Sequence, residues 1–172
     1  EEVRNFLIEA GTAVATDEIV SSLSHITRDK VVAVLAGTNS EEFIRNQKGE
    51  YFHESIVEFT SDEMIKIVKW INEAIADKEY MGGKELVDLI GRNLPDIHER
   101  YSFLTWLGLR DVLGYKLRDE FSFKGKIISA YGKELSMMKV FENFAKSHEY
   151  FTLDQLNTLK TELDTPIYFD AV

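Results

Sequence analysis

Residues 43–52 read FIRNQKGEYF: an aromatic and an aliphatic residue at the start, polar residues around Lys48-Gly49, and aromatic residues at the end. Glycine accepts the backbone angles of a tight reversal, and lysine beside it keeps the tip in water. The stretch predicts a β-hairpin over Phe43 to Phe59 with Lys48-Gly49 at its turn. A similar stretch, FSFKGKIIS, begins at Phe121. Two such hairpins in one short chain raise the question of whether what precedes them also repeats.

It does. Before the first hairpin, Val3, Phe6, Leu7 and Ala10 recur at helical spacing and Gly11 stops that helix. TAVAT is a short extended link. Thr16 or Asp17 is placed to cap a second helix, with Ile19, Val20 and Leu23 on one face. Thr27 caps a third, RDKVVAVLAG, which Gly37 ends. The same order follows Thr60. Met64, Ile67, Val68, Ile71 and Ile75 form the apolar face of a long helix capped by Thr60 or Ser61. Gly82-Gly83 breaks the chain, KELVDLIGRNL is the next helix, and Pro95 opens a segment running into SFLTWLGLRDVLGYKL as the third. A further copy starts with ELSMMKVFENFAKSH and the link and helix of YFTLDQLNTLKTEL, then the sequence ends. The expected fold class is mainly α with small β-hairpins. The expected segments are 1–60, 61–133 with a long first helix, and a partial third unit at 134–172. The Glu-Glu start and the abrupt end suggest a fragment of a longer protein.

The composition allows packed cores: 44% of the 172 residues are hydrophobic and 12% aromatic. No apolar run is long enough for a transmembrane helix, and the first residues lack the pattern of a signal peptide. With no cysteine, disulfides and thiolate metal sites are excluded, and the balance leans to a cytoplasmic protein. A net charge of −10 argues against a general nucleic-acid binder but leaves room for a local basic patch.

Helix, short strand, helix, helix and hairpin is the order of a winged helix, whose second and third helices form a helix-turn-helix and whose hairpin is the wing. The stretch EEFIRNQKGEYFH resembles the wing of HARE-HTH-type domains, where a strand with Phe and Arg precedes a Gly-aromatic return. That family includes the acidic delta subunit of bacterial RNA polymerase. The resemblance spans residues 1–59, extends to 60–133, and in 134–172 covers the first half of a unit. It implies tandem winged helix-turn-helix units in a transcription-associated protein, with the two Lys-Gly turns as wing tips.

Catalytic motifs are missing from the sequence. His25, His53, His98 and His148 form no i, i+4 pair with one another, and neither a nucleophile elbow nor a P-loop occurs. MGGKEL places Lys84 at a helix entry without the remaining phosphate-loop residues. Asp62-Glu63 lies where carboxylates offset a helix dipole. No enzyme activity, cofactor, metal or small-molecule substrate is expected.

A winged helix that binds duplex DNA needs cations on its third helix and wing. In the first unit Arg28, Lys30, Arg45 and Lys48 are balanced by Asp29, Glu41, Glu42 and Glu50. In residues 110–133, Arg110, Lys116, Arg118, Lys124, Lys126 and Lys133 face Asp111, Asp119 and Glu120, a balance of +3. Arg110, Lys116, Arg118, Lys124 and Lys126 are therefore the candidate nucleic-acid-binding residues, with weak binding of duplex DNA expected. The third helix of this unit is rich in Phe103, Leu104, Trp106, Leu107, Leu109, Val112, Leu113 and Tyr115. That is more than one face, so a neighbouring domain or partner is expected to take the surplus, with Trp106 largely buried and Trp70 partly so. The two functions kept in view are a transcription-related regulatory module touching DNA through its second unit, and a protein-interaction module, around the transcription machinery, that touches no DNA. Neither involves a membrane.

Overall fold

Residues 1–37, 41–133, 135–148 and 150–164 are described by a computed structural model of the chain. The first part runs α1 (Glu2–Ala10), β1 (Val14–Ala15), α2 (Thr16–Ser22), α3 (Arg28–Ala36), β2 (Phe43–Gln47) and β3 (Glu50–His53). Then come α4 (Ser61–Lys78), β4 (Met81–Gly82), α5 (Gly83–Asn93), α6 (Pro95–Arg100), α7 (Trp106–Lys116), β5 (Phe121–Lys124) and β6 (Ile127–Ala130), followed by α8 (Met137–Ser147) and α9 (Leu153–Glu162). The fold is mainly helical with small antiparallel sheets. Among the described residues these are β1-β3-β2 and β4-β6-β5, so both have the first strand of the set paired with the last, which lies in the centre.

Packing gathers the chain into two compact units that are each discontinuous in sequence. One joins Glu1–Thr60 to Pro95–Lys116, and the other joins Ser61–Leu94 to the described residues from Leu117 onward. This partition cuts across the consecutive segments 1–60, 61–133 and 134–172.

In the first unit Val3, Leu7, Val14, Ile19, Val31 and Leu35 form a core, with Phe6, Leu23, Phe43 and Tyr51 against it. Gly11 closes α1 at φ 61, a left-handed cap that glycine adopts without steric cost. Thr16 does not cap α2 as its side-chain chemistry suggested. It is the first helical residue, and its N–H and hydroxyl both donate to the Gly49 carbonyl (2.8 and 3.0 Å), tying β1 to the hairpin turn. The hairpin ends at His53, where a short 3-10 turn (Glu54–Ile56) replaces the strand expected to reach Phe59.

A bulge in β2 sets how α6 and α7 join this unit. Arg45 pairs with Tyr51 and Gln47 with Glu50, so Asn46 is an extra residue between them. Its side chain, 1% exposed, faces the segment before α7. The Asn46 amide donates to the Phe103 carbonyl (3.0 Å), and Asn46 Oδ1 accepts from Thr105 N (2.9 Å). The Thr105 hydroxyl donates to the Asn46 carbonyl and accepts from Gly108 N (3.1 Å), which caps α7. Beside this latch Phe103 meets Phe52 edge-on at 5.5 Å, and the Tyr101 hydroxyl exchanges hydrogen bonds with Glu58 N and O.

The cap places the start of α7 at Trp106, later than the sequence suggested, and sets its phase. Gly108, Leu109, Val112 and Leu113 are its buried residues, while Trp106 and Leu107 are half-buried. Trp106 and Trp70 are both partly buried, Trp106 lying outside the fully enclosed set. Leu113→Ala is expected to cost about 2–5 kcal/mol in denaturant melting, the range for a fully enclosed leucine, and Leu107→Ala distinctly less.

Arg4 closes the unit's other side. Its guanidinium binds Glu42 twice (Nε at 3.0 Å, terminal nitrogen at 2.6 Å), and His53 Nε2 lies 3.4 Å from the same carboxylate. The Arg4 hydrogen bond, with smaller help from His53, holds the Glu42 carboxyl below its ordinary value of 4.5. A depressed carboxyl stabilises the fold above its unfolded value and loses that contribution as pH falls through the folded one. Glu42→Gln is expected to flatten the fall in melting temperature below pH 4.5.

The second unit is built on α4. Ile67 and Ile71 are fully buried, and Met64, Val68 and Ile75 half-buried, on the face the sequence predicted. The turn of its hairpin is displaced by one residue from that of the first. Lys124 pairs with Ile127, so Gly125 (φ 60) and Lys126 make the turn, whereas Lys48 and Gly49 (φ 74) do so in the first hairpin. Tyr80, Ile127, Leu135, Val140, Leu159 and Leu163 form a core under α8 and α9. Ser136 caps α8 and Thr152 caps α9, the latter with Gln155 returning a bond to Thr152 N (2.8 Å).

Candidate nucleic-acid interface

The five cations selected from sequence divide between the two units. Arg110 and Lys116 lie on α7 in the first; Arg118, Lys124 and Lys126 lie in the second.

Arg110 is 15% exposed, pairs with its neighbour Asp111 and stacks over the Trp106 ring at 5.7 Å. Burial raises the Asp111 carboxyl above its ordinary range, although Arg110 and, more distantly, Arg45 pull it the other way. Lys116 is bound to Glu54 at 2.5 Å, with both side chains largely enclosed. Lys126 donates to the Asp164 carbonyl and lies 3.3 Å from its carboxylate. Arg118 and Lys124 are exposed. Lys133, next along the basic segment, is paired with Glu79 at 2.7 Å.

Helix α3, in the same unit as α7, has a different surface. Arg28 is paired with Asp17, and Lys30 stands beside Asp29. Between them and the helix end, Val32 and Val34 are 43% and 39% exposed, with Ala33 and Ala36 also open to water. Val32 and Val34 stand two positions apart, on opposite flanks of the buried Val31 and Leu35, so the helix after Lys30 offers phosphate no cation and shows exposed aliphatic side chains on both flanks.

No family model matches the chain, and comparison with curated proteins and with solved structures likewise finds no match.

The second unit also contains a cavity of about 480 Å³ between the end of α4, α8 and α9. Its apolar wall is Tyr80, Leu135, Val140, Phe144 and Leu159, and polar groups at its edge include His148 and Glu162. Lys78 bridges Glu85 (2.9 Å) and Glu162 (3.0 Å), and the Tyr80 hydroxyl donates to Glu162 (3.3 Å). Burial first, then the Glu162 charge, push the Tyr80 phenol far above its ordinary value, so it stays a donor. Among the described residues no group of three His, Asp or Glu is arranged to hold a metal ion, and no helix is long and apolar enough to cross a membrane.

Sequence reasoning missed Asn46, Glu162 and Asp164. Asn46 carried a signal: two residues on from Ile44 in a strand, it falls on the same face, where a polar side chain needs a partner. Glu162 and Asp164 carried none, because an acid at a helix end ordinarily faces water.

Proposed function

We propose that the chain is a regulatory module of tandem winged helix-turn-helix units, associated with transcription, that works mainly by contact with protein. The repeated order of helix, strand, helices and hairpin along the chain, with the same strand order in both sheets, supports the winged-helix part, although α6 and α7 of the second repeat pack into the first unit. The observation that carries the choice of protein over DNA is the exposed surface of α3 after Lys30, where Val32, Ala33, Val34 and Ala36 supply no cation to a DNA backbone. Pairing of Arg110, Lys116 and Lys126 with carboxylates points the same way.

The resemblance to HARE-HTH-type domains supplies the partner to try first, bacterial RNA polymerase core enzyme. Binding measured by interferometry is expected for the chain and is expected to fall tenfold or more in Val32→Glu/Val34→Glu. Binding unchanged by that double variant would put the contact elsewhere; no binding would remove the transcription reading. The second reading, a weak DNA contact through the β5–β6 turn, is favoured by the exposure of Lys124 and Arg118.

A further inference from the structure

The C-terminal end of α9 is fastened to the second sheet by contacts that differ from ordinary core packing. Leu159 and Leu163 are buried, but earlier in the helix Leu153 is 64% exposed and Leu156 half-buried. A ten-residue helix has little stability of its own, so this one depends on its docking. Docking is concentrated at Glu162 to Asp164. The Glu162 carboxylate receives Lys78 and the Tyr80 hydroxyl, and the Glu162 carbonyl lies against Gly82 so closely that a Cβ there would be 2.1 Å away. Asp164, at φ 45, holds a left-handed conformation unusual for a residue with a side chain. In that conformation its carbonyl and carboxylate both receive Lys126, the second residue of the β5–β6 turn.

We propose that α9 is an autoinhibitory strap: Asp164 occupies Lys126 in place of a phosphate, and the turn becomes available to a nucleic-acid backbone when the strap lifts. This rests on the second reading above, that the β5–β6 turn is the surface that meets DNA. The chemistry is that of competing anions. A carboxylate tethered in the same chain has the advantage of proximity, and a polyanion has the advantage of charge density. The Lys126–Asp164 and Lys78–Glu162 pairs are partly exposed, so salt weakens the hold. The buried Leu159 and Leu163 keep it from being lost altogether.

The test compares the full chain with Glu162→Gln/Asp164→Asn, which keeps side-chain shape, and with Gly82→Ala, which displaces α9 sterically. Asp77→Asn/Glu99→Gln, neither on α9, serves as a control for net charge. Two quantities are read: acylation of Lys126 by an acetylating reagent, followed by peptide mass, and anisotropy of a labelled mixed-sequence duplex at low salt. In both strap variants Lys126 acylation is expected to rise at least fivefold. Duplex affinity is expected to rise by a similar factor, and in the charge control by less than twofold. Unchanged Lys126 acylation in both variants would overturn the strap, even if Lys124→Glu showed that the turn binds duplex. Raised acylation with no duplex binding would overturn the competition and remove the DNA reading with it. An equal gain in the charge control would show that net charge, not Lys126, sets the affinity, and would also overturn the proposal.

Discussion

Asn46→Ala is expected to free the segment before α7 from the first unit. The substitution leaves the Phe103 carbonyl and the Thr105 N–H without their partner in a place that water does not reach easily. Each buried group left unsatisfied costs about 1–3 kcal/mol, so the loss is comparable with truncating a large core residue. Gly108→Ala attacks the same contact from the other side: a Cβ there would lie 2.2 Å from Asn46 Oδ1. Alanine gains about 1 kcal/mol of helix propensity over glycine, but overpacking a locked site costs about 1–3 kcal/mol, and three hydrogen bonds keep Asn46 from yielding. Net destabilisation is expected. Urea melting reads both variants, and amide exchange at Thr105 and Gly108 shows whether the latch has opened. Stability within about 0.5 kcal/mol of wild type for Asn46→Ala would contradict the latch.

Gly82→Ala is expected to release α9 from the second unit. The obstructing atom is the Glu162 backbone carbonyl, which cannot swing aside as a side chain can. Moving it withdraws Leu159 and Leu163 from the core, at about 1.5–3 kcal/mol for each leucine returned to water. Amides of residues 156–163 are expected to exchange fast while those of α4 around Ile67 and Ile71 stay protected. Slow exchange throughout α9 would mean that the helix shifts without leaving.

Much of this architecture was legible in the sequence. The hairpins showed through glycine at the reversal, and α4 through the 3.6-residue recurrence of its apolar face, because those are properties of a few neighbouring residues. The shape of α7 was half legible. An apolar surplus around a helix shows that it has more than one neighbour, and the strand it packs on, β2, ends 59 residues before α7 begins, in a place no local pattern names. The same reason hid the fate of the cations. Lys116 and Lys126 looked available because their nearest acids in sequence are few, yet Glu54 and Asp164 reach them through folding. The phase of α7 was misjudged because Trp106 and Leu107 outweigh Gly108 in hydrophobicity, while the latch on Asn46 demands the residue with no side chain at that point.

Titration of the whole chain with a mixed-sequence duplex at about 20–50 mM salt tests most directly whether protein rather than DNA is the main partner. The expected result is a dissociation constant weaker than about 10⁻⁶ M even at low salt, with a log–log salt slope below that of five phosphate contacts at about 0.9 each, and loss of binding in Lys124→Glu/Lys126→Glu. Arg28→Glu/Lys30→Glu is expected to matter less, because Asp17 and Asp29 already offset those charges. Tight binding that persists near 150 mM salt and disappears on reversing Arg28 and Lys30 would contradict the account, placing DNA on α3 where protein contact is proposed.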